Sequence, residues 1–466
     1  MGNIRIVMQK KSYQYWQWRT IILLMIGYAM YYFVRKNLSV VIPAMETELG
    51  LTKAQLGVFL TINGVIYGFS RYLNGIIADR VSQKRLMALG LFLSALINLF
   101  ICFSPQLDGV FHLLNEEGKA TLGLTWLIGS LWVVNGYIQG MGVPPCVSLL
   151  AHWIRPSELA TKQSLWNASH SLGAGLVVVL CGFLLRYFGY SAWSLCFLVP
   201  ALIALLGVPM ILFGLKDSPT ELGFPSVEEM DKDAAKKEDT SSKEVHKLTK
   251  SQYRRLAHKL VYANPYIWIL SLANFCLYIM RATILDWGSS FLTQHKGMEI
   301  SAAASTIGTC ELVGGILGML VAGWATDHVF KRKGHRTCFI FMLCAALCFI
   351  GFWQSTSTTL SIIMLVGASF FLYGPQALSG AVASQQATRY AAGTANGFLG
   401  IFCYLSTLVS GVLFGSLADH YGWNAVFVCA AIFGLVGAVI MALMWKAPAD
   451  AYDKVDEIIS SRESLF

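Results

Sequence analysis

Three cations lie deep inside apolar stretches of this 466-residue chain: Arg35 and Lys36 in the first stretch, and Arg281 in the seventh. A charge at the centre of a membrane-spanning helix costs about 2.5–3.5 kcal/mol on insertion scales, so each needs a compensating group. All three stand about sixteen residues into their stretches, too deep for the side chain to snorkel easily to an interface. Arg35 and Arg281 also hold matched positions in two related segments, "YYFVRKNLS" and "LYIMRATIL". Repeats related by a pseudo-twofold axis bring matched residues to facing positions across a central cavity. Two facing guanidiniums repel unless an anion sits between them. The planar fork of donors on each matches the oxygens of a phosphate or carboxylate, a fit that lysine cannot reproduce. The chemistry to expect is reversible capture of an oxyanion, with phosphate favoured.

Asp286, five residues after Arg281, and Glu311 in the eighth stretch are the acids clearly inside the second half, and Lys36 is positioned to pair with one or both. Three cations against two carboxylates leave +1. A monovalent phosphate neutralises that sum; a divalent one leaves −1, which His170 could offset by taking a proton, histidine being the side chain whose unperturbed titration falls near neutrality. A structural salt bridge and a moving gate both fit Asp286 and Glu311. His170 lies in "WNASHSLGAG", where Gly173 and Gly175 allow close helix packing. It reads as a ligand or as a hydrogen-bonded packing residue. Tyr28 and Tyr32 precede Arg35 by seven and three residues, and Tyr278 precedes Arg281 by three, which places them on the arginines' helix faces as cavity-lining donors.

The elements that carry these residues are membrane helices. The chain is 55% hydrophobic and only 13% charged, which excludes a soluble multidomain protein and a disordered one. Its apolar runs are continuous and do not alternate, which excludes a β-barrel. Spans of about 20 residues read at about 19–43, 56–78, 86–105, 122–150, 164–186, 191–215, 265–293, 302–327, 336–354, 359–383, 394–418 and 422–446. The expectation is an all-α membrane protein of twelve transmembrane helices. The first stretch lacks a small-residue cleavage site and reads as a helix, not a signal peptide. The eleven cysteines sit almost all in apolar segments with no CxxC pair and no zinc spacing, so no metal site or cofactor is expected.

The formal charge of +9 comes from loops between spans and calls for no nucleic acid. Arg80, Lys84, Arg85, Arg155, Lys162, Lys331, Arg332, Lys333, Arg336, Arg389, the N-terminus, the 216–264 stretch and the C-terminal tail share one side. Only Lys53, Lys119, Arg186 and Lys296 fall on the other. Both termini are therefore expected on the cytoplasmic side. The charged 216–264 stretch reads as a hydrated linker or loose helix between bundles at 1–215 and 265–466. Two further matches run in the same order through the halves: "GIIADRVSQKR" from Gly75 with "GWATDHVFKRKGHR" from Gly323, and "GFLLRYFGYSAW" from Gly182 with "GSLADHYGWNAV" from Gly415. Two six-helix repeats with a midplane site make transport the leading class.

Several segments carry a family resemblance: "GYAMYYFVRKNLS" from Gly27, "YGFSRYLNGIIADR" from Tyr67, "SLWNASHSLGAG" from Ser164, "NPYIWILS" from Asn264 and "YIMRATILDWGSSFL" from Tyr278. "LYGPQALSG" from Leu372 and "AAGTANGFLGIFCYLS" from Ala391 complete the set. Across nearly its whole length the chain resembles the organophosphate:phosphate antiporters of the major facilitator superfamily, above all the hexose-phosphate transporter and sensor branch. That resemblance implies phosphate coordination by Arg35 and Arg281 with help from His170. It implies a pore lined by Tyr28, Tyr32, Tyr67, Tyr278, Tyr373 and Tyr404, and a charge network of Lys36, Asp286 and Glu311, with no departure at these positions. Asn396, where many relatives carry a small residue, and Gln376 after the "YGP" turn either contact sugar hydroxyls or bond neighbouring helices.

The mechanism to expect is alternating access of the two halves around the anion. Closing the empty cavity would desolvate two like charges, at several kcal/mol per ion, so closure needs a bound anion and exchange is strict. The resemblance to the hexose-phosphate branch makes glucose 6-phosphate against inorganic phosphate the favoured pair, with glycerol 3-phosphate and other small phosphoesters as further cargoes. Rivals are a membrane sensor that signals hexose phosphate to a partner kinase and a proton symporter using Asp286, Glu311 or His170. An enzyme is disfavoured, because no GxxxxGK[ST] loop, no HExxH helix and no nucleophile stand out. The expected setting is the inner membrane and the expected state a monomer.

Overall fold

The computed structural model describes residues 2–51, 53–108, 112–227 and 249–448. With no water in the hydrocarbon core, an apolar chain satisfies its backbone by coiling. Helices accordingly fill the described residues, with one isolated bridge, Leu114 to Ala120, as the β-type pairing recorded. In the first part of the chain these are α1 (Gly2–Leu49), α2 (Lys53–Ala78), α3 (Gln83–Phe103), α4 (Leu122–Gln139), α5 (Val143–Trp153), α6 (Leu159–Asn167), α7 (Ser169–Phe188) and α8 (Leu195–Gly214). The second part contains α9 (Lys250–Ala257), α10 (Pro265–Ala282), α11 (Gly288–Gln294), α12 (Ile300–His328), α13 (Gly334–Gln354), α14 (Thr358–Leu408) and α15 (Phe414–Ala442).

Among the described residues eight helical stretches are long and apolar enough to cross a membrane. One of them, α14, holds two passes on either side of Thr388 and Ala391, whose backbone angles are not helical. α1, α2 and the pair α4–α5 supply the remaining passes of a twelve-helix fold. The expected 122–150 span is interrupted at Gly140–Gly142, where α4 ends and α5 begins.

Packing divides the chain into two compact units: the chain up to Cys146 with Ser169–Asp217, and Val147–Ala168 with the chain from Ser218 onward. In the first unit α1 lies against α7 and α8, α3 against α8, and α2 against α4. Its core includes Leu38, Val41, Trp132, Trp193 and Phe197. α7 reaches α1 closely because Gly173 has no side chain: a Cβ there would stand 2.5 Å from the Ala29 carbonyl oxygen. The Asp217 carboxylate caps α3, accepting from the Lys84 N–H at 2.9 Å and from the Ser82 hydroxyl, and so meets the positive end of that helix.

In the second unit α14 is the spine, packed on α10, α12 and α13, while α15 covers α10 and α13. The segment 147–168, which the repeats assign to the first half of the sequence, packs within this unit. α6 rests on α12 and α14. Asp327 Oδ2 accepts the Thr161 N–H at the start of α6 at 2.8 Å. Gly323 makes room for α6, since a Cβ there would stand 2.8 Å from the Ser164 Cβ and 2.9 Å from the Ala160 carbonyl oxygen. Gly323→Val is expected to lower the stability of detergent-purified protein by about 1–3 kcal/mol through overpacking. Gly175→Val, at a position with open space around it, is expected to be close to neutral. Thermal unfolding of the two variants checks the contrast.

Of the stretch expected as a hydrated linker, residues 228–248 lie outside the described residues, as does the tail from 449. The end of the stretch is ordered. Thr249 and Gln252 form a capping box that starts α9, and the buried Tyr253 hydroxyl is 2.6 Å from Thr394 Oγ1 of α14. Tyr253, Leu256, Leu260 and Val261 give this charged segment one apolar face, which is what docks it.

Candidate functional site

Five of the residues singled out from the sequence come together in the first unit, on α1, α2 and α7. The Arg35 guanidinium sits 3.9 Å from the Tyr67 ring centre and 5.4 Å from that of Tyr32, a cation–π arrangement that holds a charge without neutralising it. Tyr28 meets Tyr32 edge-on at 5.5 Å, and Tyr32 lies 5.9 Å from the His170 ring. Tyr28, Tyr67 and His170 are buried, whereas Tyr32 and Arg35 are half-buried. His170 Nε2 and Ser171 Oγ are 3.3 Å apart. The helical spacing of three and seven residues along α1, together with the close approach of α7 at Gly173, produces this grouping. Lys36, next along α1, is exposed.

The second unit gathers Arg281, Tyr278, Glu311 and Tyr373 from α10, α12 and α14. Arg281 Nη2 donates to the Tyr373 hydroxyl at 3.1 Å, and that hydroxyl donates to Glu311 Oε2. The Arg281 guanidinium lies 5.0 Å from the Tyr373 ring and 5.8 Å from that of Tyr278. The phenol thus relays negative charge from Glu311 to the guanidinium. Glu311 and Tyr373 are buried. Arg281 Nε and Glu311 Oε1 are buried with no hydrogen-bond partner, as is Gln376 Oε1. A buried donor left open costs about 1–3 kcal/mol, which an acceptor placed at Arg281 Nε would recover. Gln376 follows Tyr373 by three residues on the same face of α14 and offers an open acceptor.

Asp286, Asn396 and Tyr404 are the other expected site residues, and Asp286 lies within electrostatic reach of Glu311. Asp286 is exposed within a π turn, Thr283–Trp287, that directly continues α10. In a regular helix a residue five positions on stands about 140° around the axis; the extra residue of a π turn brings Asp286 back toward the face of Arg281. The Trp287 indole anchors this turn by donating to the Ser410 carbonyl at 2.8 Å, inside a second π turn, Val409–Leu413. Asn396 is buried with its amide against Gly380, where the Gln163 amide also packs. Tyr404 is half-buried. The sequence reading passed over a fully buried set of amides and a hydroxyl in the first unit: Asn37, Ser94, Asn98, Asn135 and Gln139. Their signal was available, since each interrupts an apolar run.

A family model described as Major Facilitator Superfamily matches residues 24–411. The chain belongs to the Major Facilitator Superfamily. It is 30% identical over 454 residues to a "Probable hexose phosphate transport protein" of Chlamydia trachomatis, covering 96% of this chain and 94% of that one. It is also 30% identical over 446 residues to the "Membrane sensor protein UhpC" of Salmonella typhimurium, covering 95% of each. These relatives put this superfamily member in the organophosphate:phosphate antiporter branch. Among solved structures, FucP, a superfamily transporter crystallised in the outward conformation, matches with a TM-score of 0.66 at 16% identity, over 91% of this chain and 98% of that one. That likeness shows the fold. Membership in this family makes the chain an integral membrane protein of the transporter type and not an enzyme.

Proposed function

We propose that this superfamily member exchanges a sugar phosphate, glucose 6-phosphate, for inorganic phosphate by alternating access. The observation that carries the reading is a matched pair: each unit presents one arginine, at equivalent places in the repeats, with tyrosine rings around it. Arg35 and Arg281 share the phosphoryl group, His170 adjusts the charge, and Gln376 and Asn396 face the sugar. Lys36 pairs with Asp286 or Glu311 as the halves move. The two halves are the bundles at 1–215 and 265–466, with 216–264 between them. A monomer in the inner membrane with both termini cytoplasmic completes the reading, which the loop cations support. The relative named as a hexose phosphate transport protein supports the cargo class.

Counterflow in proteoliposomes tests this. Labelled phosphate is expected to leave only when phosphate or a sugar phosphate is present outside, with glucose 6-phosphate outcompeting glycerol 3-phosphate. Rapid movement of substrate into phosphate-free vesicles would contradict exchange, and uptake driven by a pH gradient alone would establish symport. The relative named as a membrane sensor supports a second reading, in which the same site detects external hexose phosphate and signals to a partner kinase. Labelled glucose 6-phosphate uptake in a host without its own carrier separates the two: substantial uptake favours the carrier, and binding without uptake favours the sensor.

A further inference from the structure

Val34, the residue before Arg35, has φ −100° and ψ 16° inside α1, about 60° in ψ from the helical value of roughly −42°. That rotation turns its carbonyl out of the helix. Two side-chain amides meet it: Asn98 Nδ2 of α3 donates at 3.1 Å and Asn135 Nδ2 of α4 at 2.9 Å. Each amide is braced from behind. Asn98 Oδ1 accepts from Asn37 Nδ2 at 2.7 Å, and the same Asn37 nitrogen donates to the Cys196 carbonyl at 3.0 Å. Asn135 Oδ1 accepts from the Ser94 hydroxyl, whose oxygen accepts from Gln139 Nε2 at 2.7 Å. Asn37, Ser94, Asn98 and Asn135 are 0% exposed.

Amides between membrane helices are often plain packing bonds. Three features ask for more here. Both donors converge on one carbonyl, that carbonyl belongs to the residue of α1 with non-helical angles, and the next residue is Arg35. We propose that Asn98 and Asn135 are positioning residues for Arg35: by holding the Val34 carbonyl outside the helix, they set the direction in which the guanidinium leaves α1 toward the rings of Tyr67 and Tyr32. The proposal rests on reading Arg35 as a phosphate ligand. Without the two donors, Val34 relaxes toward helical angles, its carbonyl returns to the Leu38 N–H, and Arg35 turns about the α1 axis. A misplacement of about 1 Å at a binding group costs about a hundredfold.

Asn98→Leu and Asn135→Leu keep the branched shape and remove the donor. In phosphate–phosphate exchange across proteoliposomes, each variant is expected to raise KM for phosphate about tenfold, with the maximal rate per monodisperse molecule unchanged to within about twofold. The double variant is expected to reach about a hundredfold or more, because neither donor then backs up the other. Where leucine prevents folding, Asn98→Ser and Asn135→Ser, which shorten the donor and admit water, are expected to give the same rise in KM. A lower maximal rate with KM intact, or no change in either quantity, overturns the proposal. Arg35→Ala, measured alongside by phosphate binding, separates the two readings: binding kept by that variant removes Arg35 from the site. Binding lost there, with normal KM in the asparagine variants, removes only the positioning role.

Discussion

Arg281→Lys is expected to reduce phosphate exchange by about a hundredfold to ten-thousandfold, and Arg35→Lys to do the same. The size follows from what each guanidinium offers. Hydrogen bonds to charged groups contribute about 1.5–3 kcal/mol each, and a bidentate clamp supplies two of them, at about 1.4 kcal/mol per factor of ten. Arg281 spends Nη2 on Tyr373 and still has Nε buried and open. A lysine ammonium keeps the charge and loses the fork, so it cannot hold Tyr373 and an oxyanion in one plane. Arg35, whose guanidinium lies over the Tyr67 ring, also loses planar contact surface in the lysine variant. Counterflow of labelled phosphate at matched expression measures both. Normal exchange by either variant takes that arginine out of the site.

The intramembrane depth of those arginines, each of which the structure surrounds with tyrosine rings, was legible because depth in an apolar run is a one-dimensional property, and so is repeat position. The tyrosine spacing along α1 and α10 was legible for the same reason, since residues three, four or seven apart share a face. What the sequence could not carry is pairing across elements. Glu311 and Tyr373 come from α12 and α14, and nothing in either segment announces the hydroxyl that joins the acid to Arg281. The π turn after Arg281 was hidden because "TILDW" has no breaker residue, yet it changes which way Asp286 faces. The docking of α6 on α12 depends on the absence of a side chain at Gly323, which reads in sequence as an ordinary motif glycine. By contrast, α9 was within reach: Thr249 and Gln252 spell a capping box, and the surrounding charge obscured it.

The units use different devices at equivalent places. In the first, side-chain amides pull the Val34 carbonyl out of α1 just before Arg35; in the second, a π turn begins two residues after Arg281. Both interrupt the helix beside the arginine, and helix irregularities of this kind gather at functional sites. On the Arg281 side an acid is built in, Glu311, joined to the guanidinium through the Tyr373 hydroxyl.

That acid underlies the second large effect. Glu311 acts on Arg281 through the Tyr373 hydroxyl, so under the proposed function an arriving phosphate competes with a resident carboxylate. Glu311→Gln keeps the shape and removes the charge, making the surroundings of Arg281 more positive by one unit. A unit charge about 6 Å away at an effective dielectric near 20 amounts to nearly 3 kcal/mol, which screening reduces. The expected result is phosphoester binding that is about tenfold to a hundredfold tighter, with slower exchange because release becomes the difficult step. The sign with pH follows from the substrate: a phosphoester loses its second proton near pH 6, and an added positive charge favours the dianion more than the monoanion. The gain for Glu311→Gln is therefore larger at pH 7.5 than at pH 5.5. Tyr373→Phe should behave in the same direction and more weakly, since it cuts the relay but leaves the carboxylate in place. Affinities measured at the two pH values decide it. Weaker binding by Glu311→Gln at both would mean that the carboxylate holds Arg281 in position and does not compete with the phosphate for it.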